Sequence, residues 1–320
     1  MNILITGAFG VLGTSILKHL VNSDHTIICL DLIKRRTLKN ASKLRKYFKI
    51  YWGDIRNEKL VEKIISQEKI DLVVHLAYIL PPITSKNYKY ARSINVEGTR
   101  NLITKVKSQT IPPKVIFASS VSIYGDVREQ KQPIKTDTKP NPVDEYAKMK
   151  VECMNLFQES GIDYSFFVFS VIVPIKQSSL DPKMFELPID TKIEILHEDD
   201  AGLAVVNALD RNDIWKKTFH ISGGPSCRVI YLDFIQNSMK SIGLGELPME
   251  AFGGNLYHSA WMSSEESNNL LQYQNHNFQE ILTDLQNSNK TITKIVSKFQ
   301  RPIRNFLLNK SPYYKKNKRR

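Results

Sequence analysis

A tyrosine and a lysine four positions apart are the residues of this chain whose types and spacing most clearly suggest acid–base chemistry. Tyr146 and Lys150 lie in a stretch that predicts a helix over Glu145–Ser160, so their side chains fall on the same helix face. A phenol has an ordinary pKa of about 10, which is too high for a base at neutral pH. A nearby ammonium group stabilises the phenolate and lowers that pKa, and Ser120 at the end of an apolar run would hold a substrate oxygen. The set predicts that Tyr146 takes a proton from an alcohol as a hydride leaves the alcohol carbon.

A glycine-rich turn near the N-terminus predicts where the hydride acceptor binds. The apolar run Asn2–Thr6 leads directly into GAFGVLG at residues 7–13, and a helical pattern follows. A G-x-x-G-x-x-G turn between a strand and a helix lets backbone N–H groups approach a pyrophosphate closely. The alternative is a tight turn that binds no ligand. The turn predicts a dinucleotide site whose contacts are Gly7, Phe9, Gly10, Val11, Leu12 and Gly13.

Asp31 ends the second apolar run, where a carboxylate can accept both hydroxyls of the adenosine ribose. This position favours NAD over NADP. Lys34, Arg35 and Arg36 follow at once and keep NADP as the alternative, since they either hold a 2′-phosphate or form a solvated loop.

Two further segments follow the third and fourth apolar runs. In Gly53-Asp54-Ile55 the carboxylate either bonds the adenine amino group or caps the next helix. In His75-Leu76-Ala77 the small residues let the backbone pass near the ribose, and the histidine is predicted to be structural. The predicted cofactor contacts here are Asp54, Ile55, Leu76 and Ala77.

Short apolar runs alternate with amphipathic stretches over the first half of the chain, which predicts an α/β fold with a doubly wound parallel sheet. The predicted strands are Asn2–Thr6, Thr26–Leu30, Lys49–Trp52, Leu72–Leu76, Val115–Ala118, Tyr164–Val168 and Thr218–Ile221. The predicted helices are Gly13–Asn22, Lys59–Gln67, Ile94–Ser108, Glu145–Ser160, Glu198–Leu209, Leu232–Ile242 and Phe278–Leu285, and 174–188 is predicted to be loops. We expect a dinucleotide-binding domain over 1–173, a smaller, partly interleaved substrate-binding region over 174–309 with 197–224 returning to the core sheet, and a mobile basic tail over 310–320.

Composition and charge narrow the functional classes. Of 320 residues 42% are hydrophobic and 24% charged, which excludes wholesale disorder, and no apolar run reaches the length of a membrane-spanning helix. The three widely spaced cysteines and the lack of a signal-peptide pattern favour the cytoplasm, and no metal site is predicted. The net charge of +13 arises in residues 34–49 and 301–320, each with eight basic residues and no acid, so a general nucleic-acid-binding surface is not expected.

Several segments together resemble the extended short-chain dehydrogenase/reductase family, of the NAD-dependent epimerase/dehydratase type. They are TGAFGVLG, LDL, GDI, HLA, SINVEGTRNLI, VIFASSVSIYG, YAKMK, ILHEDDAGLAVVNAL and FHISGG, which span residues 1–224 in family order. The resemblance implies a Rossmann-type sheet, a homodimer, and Ser120, Tyr146 and Lys150 as the catalytic group. It also implies Asn95 at the cofactor as support for a proton relay through Lys150, and the block 170–174, with Val173 as the contact, near the nicotinamide carboxamide.

The same resemblance bears on the substrate, a small molecule. SSVSIYG at 119–125 lacks the Asp-Glu pair of the family's dehydratases, so dehydration is disfavoured. FSVIVP at 169–174 lacks the Arg, Asn and Tyr common in nucleotide-sugar members, and the segment after HLA is unusually apolar. The predicted substrate contacts are Tyr78, Ser120, Ser122 and Tyr146. We expect an NAD(P)-dependent oxidoreductase or epimerase that acts on a hydroxyl or carbonyl carbon, and both a nucleotide sugar and a non-sugar carbonyl compound stay open as its substrate. A non-catalytic dinucleotide-sensing or RNA-associated regulator is the remaining alternative.

Overall fold

Strands that are apolar on both faces make the centre of the structure, a computed structural model that describes residues 1–176, 182–254 and 259–317. The strands are β1 Asn2–Thr6, β2 Thr26–Asp31, β3 Lys49–Trp52, β4 Leu72–His75, β5 Lys114–Ser120, β6 Tyr164–Phe169, β7 Val171–Val173, β8 Lys192–His197, β9 Lys217–Ile221 and β10 Arg228–Ile230. Seven of them form a parallel sheet in the order β3-β2-β1-β4-β5-β6-β9. The predicted doubly wound sheet is confirmed.

Helices cover both faces of this sheet. They are α1 Val11–His19, α2 Arg35–Ala41, α3 Glu58–Gln67, α4 Ile83–Lys86, α5 Tyr88–Arg92, α6 Gly98–Lys107, α7 Glu145–Ser160, α8 Glu198–Val206, α9 Tyr231–Ser241, α10 Glu265–Leu271, α11 Phe278–Ser288, α12 Lys290–Lys298, α13 Gln300–Leu308 and α14 Tyr314–Asn317. A π-helical turn, Ser93–Glu97, joins α5 to α6. Short 3₁₀ turns lie at Val121–Tyr124, Pro182–Phe185, Pro225–Cys227 and Met249–Ala251.

Alternation along each strand divides the core into two layers. Leu4 and Val73 pack beneath α3, α6 and α7, whereas Ile3, Ile5 and Val74 pack beneath α1 and α8. Neighbouring residues of a strand point to opposite faces, so a strand buried on both faces must be apolar throughout. The order of the strands reverses between β1 and β4, and in such sheets a crevice opens outside the carboxyl ends of the strands at that point.

A second sheet extends this crevice. Strand β8 pairs in parallel with β7 and in antiparallel with β10. Its apolar side packs with α9 and α11 in a third cluster that includes Val173, Ile193, Ile235 and Ile281. This unit lies against the ends of the first sheet because β7 follows β6 after a single residue, Ser170.

Some elements differ from the sequence expectation. Strands β7, β8 and β10 were not expected, and α2 forms within the basic stretch where a solvated loop was one expectation. In the predicted loop over 174–188, residues 182–185 form a 3₁₀ turn, and 177–181 lie outside the described residues.

The end of the chain also differs from the expectation. The prediction of a mobile tail is wrong for residues 310–317. Ser311 donates a hydrogen bond to the Ala251 carbonyl oxygen at 2.5 Å, and Tyr313 packs on the third cluster. Residues 318–320 lie outside the described residues. Within the described ranges, no helix combines the length and hydropathy that a membrane span requires.

Candidate active site

A cleft of about 460 Å³ lies at the carboxyl ends of the parallel strands. The glycine turn forms its floor. Gly7 has a φ of +67°, and a Cβ there would lie 2.8 Å from the Ala77 backbone nitrogen, so the turn can pack against β4 only with glycine at this position. Gly10 precedes α1 as its N-cap, and the N-terminal end of a helix attracts anions. This cradle of backbone therefore fits a pyrophosphate.

Asp31 stands at the end of β2 beside the glycine turn. Its Oδ2 accepts a hydrogen bond from the Phe9 amide at 2.8 Å and its Oδ1 accepts one from the Leu32 amide at 2.7 Å. Burial raises the pKa of Asp31, while the two amides and the nearby Arg36 and Lys34 act in the opposite direction. Lys34 and Arg36 both line the same cleft, where they could hold the 2′-phosphate of NADP, so NADP stays an alternative.

Asp54 and Ile55 line the cleft beyond Asp31. The Asp54 carboxylate binds the Arg56 guanidinium at 2.6 Å, which holds the pKa of Asp54 below its ordinary value. The helix-cap alternative is wrong, because Asn57 caps α3 by accepting a hydrogen bond from the Leu60 amide.

His75 is structural, as expected. It is buried between Thr6, 2.7 Å away, and Thr99, 2.9 Å away, and burial lowers its pKa to about 3. The Thr6 hydroxyl also accepts hydrogen bonds from the amides of Leu76 and Ala77, which fixes the backbone of the cleft wall there.

The catalytic candidates Ser120 and Tyr146 meet at the far end of the cleft. Ser120 ends β5, and Tyr146 is the second residue of α7, whose N-cap Asp144 accepts a hydrogen bond from the Ala147 amide. The Ser120 oxygen accepts hydrogen bonds from the amide of Ser122 at 3.3 Å and from its hydroxyl at 3.0 Å. Among the described residues no hydrogen bond uses its own proton, which leaves that proton for donation, and Ser120 acts to lower the pKa of Tyr146. Ser122 is thus a residue that orients Ser120.

Lys150 lies one helical turn beyond Tyr146 and is buried. Its ammonium donates to the Ala118 carbonyl oxygen at 2.6 Å and lies 5.9 Å from the centroid of the Tyr146 ring. Burial lowers the pKa of Lys150 to about 7. The ammonium also lies over the ring of Tyr78, 3.5 Å from its centroid, a contact that the sequence did not predict.

The expected lowering of the Tyr146 pKa is not produced by the protein groups around it. Burial raises this pKa to about 12, although the neighbouring Ser120 hydroxyl opposes the effect. The physical reason is that packing removes water from the phenol, which penalises the phenolate, while the ammonium of Lys150 is engaged elsewhere.

Asn95 lies in the π-helical turn rather than in a regular helix. Its amide group donates to the Ile79 carbonyl oxygen at 3.0 Å and accepts from the Ile79 amide at 2.7 Å, and it is fully buried. Asn95 therefore holds the strand-to-helix segment that carries Tyr78, and it does not line the cleft. A wider helical turn of this kind is frequent at functional sites.

Two other predicted contacts also have side chains away from the cleft. Phe9 is buried under the glycine turn, and only its amide points to Asp31. Val173 packs in the third cluster because side chains alternate along β7, which leaves Ile172 at the cleft. The cleft at this edge is lined by Ser170, Ile172 and Pro174, which lie in the block 170–174 that the resemblance implies there, and by Phe169, which sequence reasoning missed. Recognition of β7 as a strand would have identified Ile172.

Away from the cleft, His197, His276 and Asp284 bring ligand-type atoms within 4.8 Å of one another. The two imidazole rings are stacked 3.9 Å apart and nearly parallel, at 14°. Because the nitrogen lone pairs lie in the ring planes, stacked rings do not direct them at one ion. The Nδ1 atoms are occupied by the Asp199 amide and the Asp200 carboxylate, so the arrangement favours packing between α8 and α11.

A family model supports what the geometry suggests. The model of the NAD dependent epimerase/dehydratase family matches residues 3–176, more than half of the chain. Among curated proteins, the chain is 31% identical to the UDP-glucose 4-epimerase of Lactobacillus helveticus over 47% of its own length and 44% of that protein. It is 31% identical to the CDP-paratose 2-epimerase of Salmonella typhi over 47% of each chain. The chain thus spans about half the length of the curated relatives it matches.

Solved structures agree in fold. The UDP-glucuronic acid 4-epimerase of Bacillus cereus, solved with UDP-glucuronic acid and NAD, superposes with a TM-score of 0.77 and 21% identity over 92% of this chain and all of that one. The dTDP-glucose 4,6-dehydratase of Bacillus anthracis, solved with NAD, gives 0.76 and 17% over 91% of this chain and 97% of that one. At these identities the likeness establishes the fold.

Proposed function

The chain belongs to the NAD dependent epimerase/dehydratase family, and we propose that it is an enzyme that uses NAD to oxidise or reduce a carbon bearing a hydroxyl or carbonyl group. The activity is that of an epimerase or an oxidoreductase. The observation that carries this proposal is the position of Asp31, the glycine turn and the Ser120–Tyr146–Lys150 group along one continuous cleft.

The described residues fit the cofactor from end to end. Gly7, Gly10 and the start of α1 would hold the pyrophosphate, and Asp31 would accept the adenosine-ribose hydroxyls. Lys150 would bind the second ribose. When bound, NAD supplies an acceptor and donor of hydride at its nicotinamide ring.

The chain's own residues would handle the proton. Ser120 donates a hydrogen bond to the substrate oxygen, since Ser122 leaves that proton free. Tyr146 takes the proton from the alcohol during oxidation and returns it during reduction. Its phenol, whose pKa is raised to about 12 by the surrounding protein, needs the positive charge of Lys150 and of the oxidised ring to serve as a base at neutral pH.

We also propose the biological setting of this activity. The substrate is a small molecule, and the relatives named above act on nucleotide sugars. Residues 1–173 would form the cofactor domain with 197–224 joined to it, and 174–309 the substrate region. The enzyme is proposed to act in the cytoplasm as a homodimer.

Mass spectrometry of what the denatured protein releases, combined with titration by NAD and NADP, tests the proposal. We expect one dinucleotide site per chain with preference for NAD. Tightly retained NAD favours an epimerase, which keeps its cofactor through the cycle, whereas exchangeable NAD favours a dehydrogenase or reductase. A protein that binds neither dinucleotide contradicts the proposal.

A further inference from the structure

A second, smaller pocket of about 310 Å³ opens on the side of Ser120 and Tyr146 that faces the second sheet. These two residues and Ser170 line both this pocket and the larger cleft, so they form the wall that the two share. A substrate in the smaller pocket would therefore lie directly against the catalytic candidates Ser120 and Tyr146.

The walls of the smaller pocket are mostly apolar. Val171 of β7 and Ile193 of β8 form one side, and Tyr231 and Phe234 of α9 form another, together with Leu187. The Tyr231 hydroxyl is already donated to the Met184 carbonyl oxygen. These surfaces suit a carbon skeleton, because apolar ligand and apolar wall both lose contact with water on binding and no polar group is left without a hydrogen-bond partner.

The charge of the pocket is unsuited to a diphosphate. Asp144 is the one charged side chain among the described residues that line it, and no lysine or arginine is among them. The cations on the neighbouring strands are engaged elsewhere. Arg228 pairs with the buried Glu194 at 3.1 Å, and Lys192 lies over the Trp261 ring. Proteins bind phosphates with arginine, lysine or free helix N-termini, and Asp144 already caps the helix that begins here.

Two serine hydroxyls give the pocket a specific polar requirement. Ser170 and Ser259 are 7% and 3% exposed, both line the pocket, and neither hydroxyl has a hydrogen-bond partner among the described residues. A buried hydroxyl without a partner is unfavourable, so both are suited to a ligand that brings oxygen atoms.

We propose that the substrate is a compact uncharged hydroxyketone or diol with an apolar carbon skeleton, and not a nucleoside-diphosphate sugar. This inference rests on the NAD-dependent reaction proposed above. In the reductive direction the carbonyl carbon gains a hydride from NADH and its oxygen gains the Tyr146 proton. The products are the alcohol and NAD⁺, and Tyr146 is then reprotonated by water. Ser170 and Ser259 bind the neighbouring oxygen atoms.

The test compares neutral and phosphorylated probes on the intact protein. With NADH present, 2-hydroxycyclohexanone and benzoin are offered as substrates, and loss of NADH absorbance is followed. UDP and UDP-glucose are titrated into the NAD-loaded protein by calorimetry. We expect NADH oxidation with at least one hydroxyketone and no saturable binding of UDP or UDP-glucose below about 1 mM.

The serines supply a second readout. Ser259→Ala is expected to raise the KM for the active hydroxyketone about tenfold with a smaller change in kcat, which corresponds to the loss of one hydrogen bond made in both the ground and transition states. Ser108→Ala, at an exposed helix end, is the matched control and should change neither constant.

The outcomes separate the two proposals. UDP or UDP-glucose binding with a Kd below about 1 mM overturns the neutral substrate. Failure of both hydroxyketones with protein that binds NADH also overturns it, as does an unchanged KM in Ser259→Ala. Protein that does not bind NADH at all overturns the proposed function instead.

Discussion

The ammonium of Lys150 lies 3.5 Å from the centroid of the Tyr78 ring, and the same ring meets the Tyr146 ring edge-on at 5.6 Å. Tyr78 thus contacts both members of the candidate acid–base pair. A cation over the face of an aromatic ring is stabilised by the ring's electron density, most strongly where water is excluded. Together with the Ala118 carbonyl oxygen, this ring partly offsets the burial that lowers the pKa of Lys150 to about 7.

Replacement of Tyr78 should therefore change the titration of Lys150. In Tyr78→Leu the ammonium loses its aromatic contact, so its pKa should fall by about half a unit to one unit. In Tyr78→Phe the ring remains and the pKa should stay near its original value. The measurement is the pH dependence of NADH affinity, which should weaken as Lys150 loses its proton. Identical pH profiles for the two variants would show that the ring does not act on Lys150.

Asp31 should set both the strength and the choice of dinucleotide binding. Asp31→Asn keeps an oxygen for one of the two amides but loses the charge that favours ribose hydroxyls as donors. We expect NAD affinity to fall about tenfold to a hundredfold and the preference for NAD over NADP to shrink, since Lys34 and Arg36 line the same cleft. Fluorescence titration with both reduced cofactors measures this. Asp24→Asn, in an exposed loop, is the control, and an equal loss in that variant would refute the assignment.

The ion pair between His19 of α1 and Asp199 of α8, at 3.2 Å, should give a pH-dependent stability. The Asp199 carboxylate raises the pKa of His19, so this contribution is complete below about pH 6.5 and is lost as the pH rises through the folded-state pKa. The pKa of Asp199 is lowered by the same contact, so its contribution is lost as the pH falls below about 4.

A double-mutant cycle with His19→Gln and Asp199→Asn measures that coupling. Because both groups are partly exposed, we expect about 0.5 kcal/mol at pH 5.5, decreasing toward zero at pH 8.5. Urea unfolding at the two pH values provides the free energies of unfolding. A coupling that increases with pH would contradict the pairing.

Ser311 should anchor the C-terminal segment. Its oxygen accepts hydrogen bonds from the amides of Tyr313 and Tyr314 at 3.1 Å while its hydroxyl donates to Ala251. We expect Ser311→Ala to lower the free energy of unfolding by about 1–2 kcal/mol in denaturant titrations. Ser42→Ala, which removes an exposed hydroxyl at the end of α2, should cost less than about 0.5 kcal/mol. Equal values for the two variants would mean that the segment adds no stability.

Long, strongly patterned elements of this fold were predictable from the sequence. Burial requires apolar residues in β1, and close backbone packing requires glycine in the turn after it, so both are visible in the sequence. These two elements and α7 lie where expected. Asp31 and Ala77 could be placed at the cleft because the carboxyl ends of parallel strands meet at one edge.

Other features depend on contacts between distant parts of the chain. Strands β7 and β10 have three residues each, too few for a period to show. The raised pKa of Tyr146 and the contact between Lys150 and Tyr78 arise from how α7 packs against the segment after β4. The C-terminal segment is held by the hydrogen bond from Ser311 to the carbonyl oxygen of Ala251, which lies sixty residues earlier in the sequence. Neither kind of information is contained in local residue spacing.

Titration of NAD into Gly10→Val tests the central claim most directly. Gly10 has extended backbone, and a Cβ there would meet only the Gly7 carbonyl oxygen, at 3.2 Å, so the variant should fold with a Tm within a few degrees of the parent. The added side chain would occupy the cradle assigned to the pyrophosphate. We predict a loss of NAD affinity of at least about a hundredfold. A folded Gly10→Val protein that binds NAD as tightly as the parent would contradict the account.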